Sequence, residues 1–209
     1  EEAFTSEGPM VNSGNFDGLV GQEARQKVCE FLLRTYSTTT NHVNWLQPRW
    51  EYMHYHPLIR SIDLGVIGIW EANGEIVGVV HPEHFMGTAY FEIHAKIGAL
   101  WREMLTHAEE RIAMTKDGKT SLSVFIHDRD DEFQALAAGA GYAKTGTSEP
   151  MSHLVITHPF PAVDLPDGFR LMSLASGNDL AEINRLLFRG FNHGDEPPDN
   201  GGEDNAFIQ

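Results

Sequence analysis

Trp70-Glu71-Ala72-Asn73-Gly74-Glu75-Ile76-Val77-Gly78-Val79-Val80 is the stretch that decides the fold. Asn73 and Gly74 both tolerate φ > 0, which a two-residue hairpin turn requires. Residues 64–70 and 75–80 are rich in β-branched and aromatic types, so two antiparallel strands are predicted around that turn. Residues 88–94 predict a third strand. Its alternation puts Ala89, Phe91 and Ile93 on one face and Tyr90, Glu92 and His94 on the other.

Toward the C-terminus the period changes. Ile97, Leu100, Trp101, Met104, Leu105, Ala108 and Ile112 recur at helical spacing, and Gly118 punctuates the end of that helix. Residues 121–127 predict a strand. Asp128 is the expected cap of a short helix carrying Phe133, Leu136 and Ala140, and residues 142–147 and 151–157 are expected to add two final strands. Toward the N-terminus, Ala24, Val28, Phe31, Leu32 and Tyr36 predict a helix starting near Gln22. The run 38–41 breaks it, and Trp45, Leu46, Trp50 and Met53 predict a second helix ending near Pro57. Residues 1–18 are polar and glycine-rich and read as loose chain. Pro159, Pro161 and Pro166 mark 158–168 as a linker. Beyond it, 169–174 is strand-like, and Asp179, Leu180, Ile183, Leu186, Leu187 and Phe191 are helix-like. The expected organisation is therefore an α+β domain over 1–157, with a mixed, mostly antiparallel sheet flanked by helices, then the linker. Residues 169–209 then open a second domain.

The bulk numbers narrow the function. The chain has 209 residues, 41% of them hydrophobic and 10% aromatic, as in a globular domain with a core. No apolar run approaches the roughly 20 residues of a membrane helix. A formal charge of −15 opposes nucleic-acid binding and favours a cationic or amine-bearing partner; a role in solubility alone is the other reading. Cys29 is the single cysteine, so no internal disulfide can form, and a cytoplasmic setting is expected.

The ordered elements resemble the GNAT superfamily of acyl-CoA N-acyltransferases, with the resemblance running over about residues 20–195. The hairpin of 70–80 is similar to that family's, where a turn joins a strand ending in Val-Gly. His107-Ala108-Glu109-Glu110 sits where the family's central helix often carries Ala-Glu. Residues 122–126 resemble the strand that splays from its neighbour to admit the cofactor. Gly141-Tyr142 resembles the Gly-aromatic pair opening the next strand, and Phe169-Arg170-Leu171 with Asn178-Asp179 resembles the start of a second copy. The resemblance implies transfer of an acetyl group from acetyl-CoA, as co-substrate, to a small amine by direct attack in a ternary complex.

Two departures stand within that resemblance. The family holds the cofactor pyrophosphate in an Arg/Gln-x-x-Gly-x-Gly/Ala loop at a helix N-terminus, where exposed backbone N–H groups meet the phosphates. This chain has His94-Ala95-Lys96-Ile97-Gly98-Ala99-Leu100-Trp101 there. Lys96, as a point charge, and Gly98 are the candidate cofactor-binding residues. The family's general acid, a tyrosine five residues before the aromatic of that Gly-aromatic pair, falls on Ala137, counting back from Tyr142. Both losses imply that the first domain is non-catalytic and that catalysis belongs to the second domain of a tandem protein. The alternative is a GNAT-fold binding or scaffold module.

Other residues remain candidates for chemistry. His81-Pro82-Glu83-His84, with Glu92 and His94, offers a His-x-x-His pair and a carboxylate, but its spacing matches no metal motif and no metal site is expected. Glu92 and His84 are the candidate bases for deprotonating an amine; loop histidines and a solvated strand glutamate are the plainer reading. His42, His54, His56, Trp45, Trp50, Tyr52 and Tyr55 read as core or interface more readily than as a binding box. Asp128-Arg129-Asp130-Asp131 lacks the glycine and distal glutamate of a calcium loop. The apolar positions of 169–191 also suggest self-association.

Overall fold

The computed structural model describes residues 11–15, 21–36, 45–55, 62–94, 97, 100–150 and, with gaps, 152–197. The chain divides into two compact units, Glu1–Ala143 and Lys144–Gln209.

The first unit is an α+β fold built on one five-stranded sheet. The strands are β1 (Val11–Asn15), β2 (Gly68–Ala72), β3 (Glu75–His81), β4 (Thr88–Ile93) and β7 (Ser123–Val124), side by side in that order. β1 to β4 pair antiparallel, and β7 joins β4 in parallel. A separate hairpin, β5 (Met114–Lys116) with β6 (Lys119–Ser121), follows the third helix. Asn73 and Gly74 take φ of 55° and 79°, so the turn between β2 and β3 is the left-handed one that its Asn-Gly sequence predicts.

Helices cover both faces. α1 (Gly21–Thr35) and α2 (Gln47–Tyr55) enclose one core with Ile69, Ile76, Val79 and Tyr90. α3 (Trp101–Arg111) and α4 (Asp131–Gly139) enclose the other with Trp70, Val80, Ala89, Phe91 and Ile93. The run Ile76–Val80 does not alternate because the β2–β3 register slips between Trp70 and Glu71: Trp70 faces Gly78 and Glu71 faces Ile76. Val77 is the inserted residue of a β-bulge, which lets Ile76 and Val79 share one face although three positions apart. At Gly68 α3 approaches β2 closely. A Cβ there would lie 2.8 Å from the His107 ring and from Trp70, and both rings are held, His107 Nε2–H by the Val66 carbonyl and Trp70 Nε1–H by Glu103.

Several expectations need correction. Residues 11–15 are not loose but form edge strand β1. Leu64–Val66 is a 3-10 turn capped by the Asp63 side chain, so the strand starts only at Gly68. Gly118, with Asp117 at φ 51° and its own φ of 73°, turns the β5–β6 hairpin instead of ending a helix. The strand expected over 121–127 shrinks to β7. The cap of α4 is Asp130, whose Oδ1 accepts from the Phe133 N–H at 3.0 Å, and not Asp128. Residues 142–147 form no strand, nor do the described residues of 151–157. The helix break expected at 38–41 lies outside the described residues.

In the second unit, residues 169–173 are exposed and irregular instead of strand-like. α5 (Leu180–Gly190) forms as its pattern predicts, capped by Asp179, whose carboxylate accepts from the Ala181 and Glu182 N–H groups. Arg185 and Arg189 both bind Glu196 after the helix end, holding its carboxyl below the usual range through the Arg185 hydrogen bond first. Among the described residues, no helix is long and apolar enough to cross a membrane.

Candidate functional site

The face covered by α1 and α2 holds most of the buried polar chemistry of the first unit. Trp45 precedes α2, and Arg49 follows it by one helical turn, so both side chains lie over the same part of the sheet. Below them, the β3–β4 pairing sets His81 opposite Tyr90. Trp45, Trp50, His81 and Tyr90 are all buried. The His81 ring stands edge-on to Trp45 at 4.8 Å and to Trp50 at 5.2 Å, and stacks on Tyr90 at 5.9 Å.

Arg49 closes this group from above. Its guanidinium carbon lies 3.9 Å from the Trp45 ring centroid and 5.2 Å from that of Tyr90. Its Nε and Nη2 donate to the two carboxylate oxygens of Glu83, at 2.8 and 2.7 Å. The pair bridges α2 to the loop between β3 and β4, with the bidentate geometry that makes such pairs strong.

His81 and His54 are neutral near pH 7. His81 Nδ1 lies 2.9 Å from the Pro82 carbonyl, which can only accept, so Nδ1 carries the proton and Nε2 the lone pair. Burial pushes the His81 pKa down to about 3, with the Pro82 hydrogen bond opposing and the charges of His54 and Arg49 assisting. Burial, helped by Arg25, lowers His54 to about 4. Burial likewise raises the thiol of Cys29, while the Gln47 amide beside it acts the other way.

The candidate bases separate on this scaffold. Glu92 is buried within β4, opposite Val79, on the α1–α2 side. It is therefore not the solvated strand position of the plainer reading. His84 is half-buried in the β3–β4 loop, edge-on to Tyr52 at 6.2 Å and Phe85 at 6.4 Å. Along the strands Glu92 lies beyond Tyr90 from that loop, so the two occupy different levels of the sheet. His94 follows β4, and its N–H donates to the Val77 carbonyl. Lys96 and Gly98 lie outside the described residues. Among the described residues, no three His, Cys, Asp or Glu side chains gather as metal ligands would. The residue that the reading of 81–94 passed over is Arg49. The i, i+4 spacing of Trp45 and Arg49 was the available signal.

A second feature lies at the edge of the sheet. The parallel pairing of β4 with β7 covers only Thr88 with Ser123 and Ala89 with Val124, ending with the Phe125 N–H on the Ala89 carbonyl. On the α1–α2 side Tyr90 and Phe125 then stack at 4.9 Å, nearly parallel. On the other side Phe91 meets Phe133, and Trp101, the first residue of α3, stacks flat on Phe133 at 4.1 Å. Ala137 is buried in α4, and its carbonyl accepts from the Tyr142 N–H. The Tyr142 hydroxyl donates to Glu109, and burial, with that carboxylate, pushes the phenol up to about 12.

Compared with known proteins, the chain matches no family model and no curated protein.

Proposed function

We propose that this chain supplies the non-catalytic first domain of a GNAT-type acyltransferase that moves an acetyl group from acetyl-CoA to a small amine. The observation carrying this reading is the short parallel pairing of β4 and β7, which stops where a splayed pair would begin to part. The order of β2, β3, β4, α3 and β7 supports it, since the resemblance places a cofactor between such strands. Beyond the last paired residues Tyr90 stacks on Phe125 on one face of the sheet, and on the other Trp101 stacks on Phe133, with Phe91 edge-on to it. A cofactor arm entering there would have to displace buried aromatic surface, at a cost of a few kcal/mol by area. The Tyr142 hydroxyl already donates to Glu109 and, with its pKa pushed up to about 12, is a poor acid, while the family's acid position is Ala137, which has no proton to give a departing thiolate. Catalysis then falls to a second domain opened by the α5 segment.

The test has two arms. Calorimetric titration of the 209-residue chain with acetyl-CoA, and turnover on a panel of amines, are expected to give neither saturable binding nor transfer. Transfer by this chain alone overturns the non-catalytic assignment. Reading the gene past the codon for Gln209 tests the tandem part: an in-frame Arg/Gln-x-x-Gly-x-Gly/Ala loop supports it, and a stop codon there favours a second reading, a GNAT-fold binding module. The packing of Trp101 against Phe133 is the observation on which that second reading rests.

A further inference from the structure

The group around Arg49 is more specific than a structural ion pair requires. Two aromatic faces and a carboxylate presenting both oxygens complement a planar guanidinium in shape and charge. Trp45 and Tyr90 are buried, while the Arg49 and Glu83 side chains keep 33% and 21% of their surface, so the carboxylate mouth is open to solvent. An acceptor without a donor also lies against the same two rings. His81 Nε2 bears a lone pair, is fully buried and finds no donor among the described residues, on a ring in contact with both Trp45 and Tyr90. Burying an acceptor without a donor is unfavourable; Arg49, tethered to α2 and held on Glu83 through Nε and Nη2, does not supply one, whereas an untethered guanidinium is free to turn an N–H toward it.

We propose that Trp45, Tyr90, Glu83 and His81 form a recognition cage for an alkylguanidinium group, occupied in cis by Arg49 until a ligand displaces it. The net charge of −15 draws such a cation toward the chain. The same chemistry is offered by a free alkylguanidine and by an arginine side chain on a partner polypeptide. The cage does not depend on the acyltransferase reading.

Arg49 acts as a tethered competitor, so ligand affinity falls by the fraction of time the cage stands vacant. The experiment titrates butylguanidinium, and separately a capped arginine tripeptide, into the 209-residue chain, following tryptophan fluorescence and heat. Saturable binding to the wild-type chain is expected, tightened at least about tenfold by Arg49→Met, which keeps an apolar stem and removes the competitor. Adding Glu83→Gln to that variant is expected to weaken binding about tenfold or more, since the neutral amide keeps the shape and loses the charge. Tighter binding of the tripeptide assigns the source to a polypeptide, tighter binding of butylguanidinium to a small molecule, and either supports the cage. Near-UV circular dichroism verifies folding; if Arg49→Met does not fold, Arg49→Lys is read in its place. A folded variant without saturable binding, undiminished binding after Glu83→Gln, or a wild-type chain that fails to bind at about a hundredfold the variant's dissociation constant overturns the proposal.

Discussion

His81 holds a position where proton uptake and folding oppose each other. Its pKa falls from 6.5 to about 3 on folding, because a charged imidazole would lose its water shell among Trp45, Trp50 and Tyr90. The unfolded chain therefore binds a proton below pH 6.5 that the folded chain refuses, and stability rises with pH across that window. The stabilising contribution is complete above pH 6.5 and is lost as pH falls toward the folded value. Between pH 8 and pH 5 the loss from His81 alone is about 2 kcal/mol. His54 acts in the same direction, and most carboxylates stay ionised over that range. Urea unfolding at pH 8, 6.5 and 5 measures it. His81→Gln is expected to make the decline shallower by about that amount, and parallel declines in the two proteins would show that His81 is not the titrating group.

At the scale of elements, the α4 cap separates what the sequence offered from what packing chose. Asp128 and Asp130 both precede a helical pattern and are equal by residue type. Tertiary structure decides between them: Asp130 is buried and its carboxylate meets the Phe133 N–H, while the Asp128 carbonyl accepts from Gln134. Asp130→Ala is expected to cost about 1–2 kcal/mol and Asp128→Ala distinctly less, read as shifts in the urea midpoint at constant slope. The same logic explains which other elements were legible. The Asn73-Gly74 turn, the alternation of β4 and the stripe on α3 are local patterns, each sufficient for its own geometry. β1 carries Val-Asn-Ser-Gly-Asn, with no strand-favouring run, and exists because β2 offers it a ladder. Its placement is long-range information that a local reading cannot supply. Residues 142–147 failed in the opposite sense: after the half-buried Tyr142 the segment is exposed, and nothing in its pattern distinguished a strand from extended chain. The cage was half legible. Tryptophans and histidines near Arg49 were visible, but their convergence with Glu83 and Tyr90 depends on the β3–β4 register.

At the scale of the whole molecule, the division near Ala143 makes a mechanical claim about where the chain yields first. Residues 143–150 are exposed throughout and belong to no helix or strand, and Leu154, Val155 and Ile156 are exposed at 83%, 72% and 61%. Such backbone has no ladder or helix to leave before it fits a protease cleft. Trypsin has two suitable sites there, Lys144 and the exposed Arg170. Both are expected to be cut before Lys116 and Lys119, which pair across the β5–β6 hairpin, and before Arg102 or Arg111 in α3. The product ending at Lys144 retains both faces of the sheet, with the cores built on α1 and α2 and on α3 and α4. It should therefore melt cooperatively, as one domain does. Mass spectrometry of an early digest, followed by thermal unfolding of the purified product, measures both parts. First cuts inside α3, or a product that melts without a transition, would mean that residues beyond Ala143 are needed to hold the first unit together.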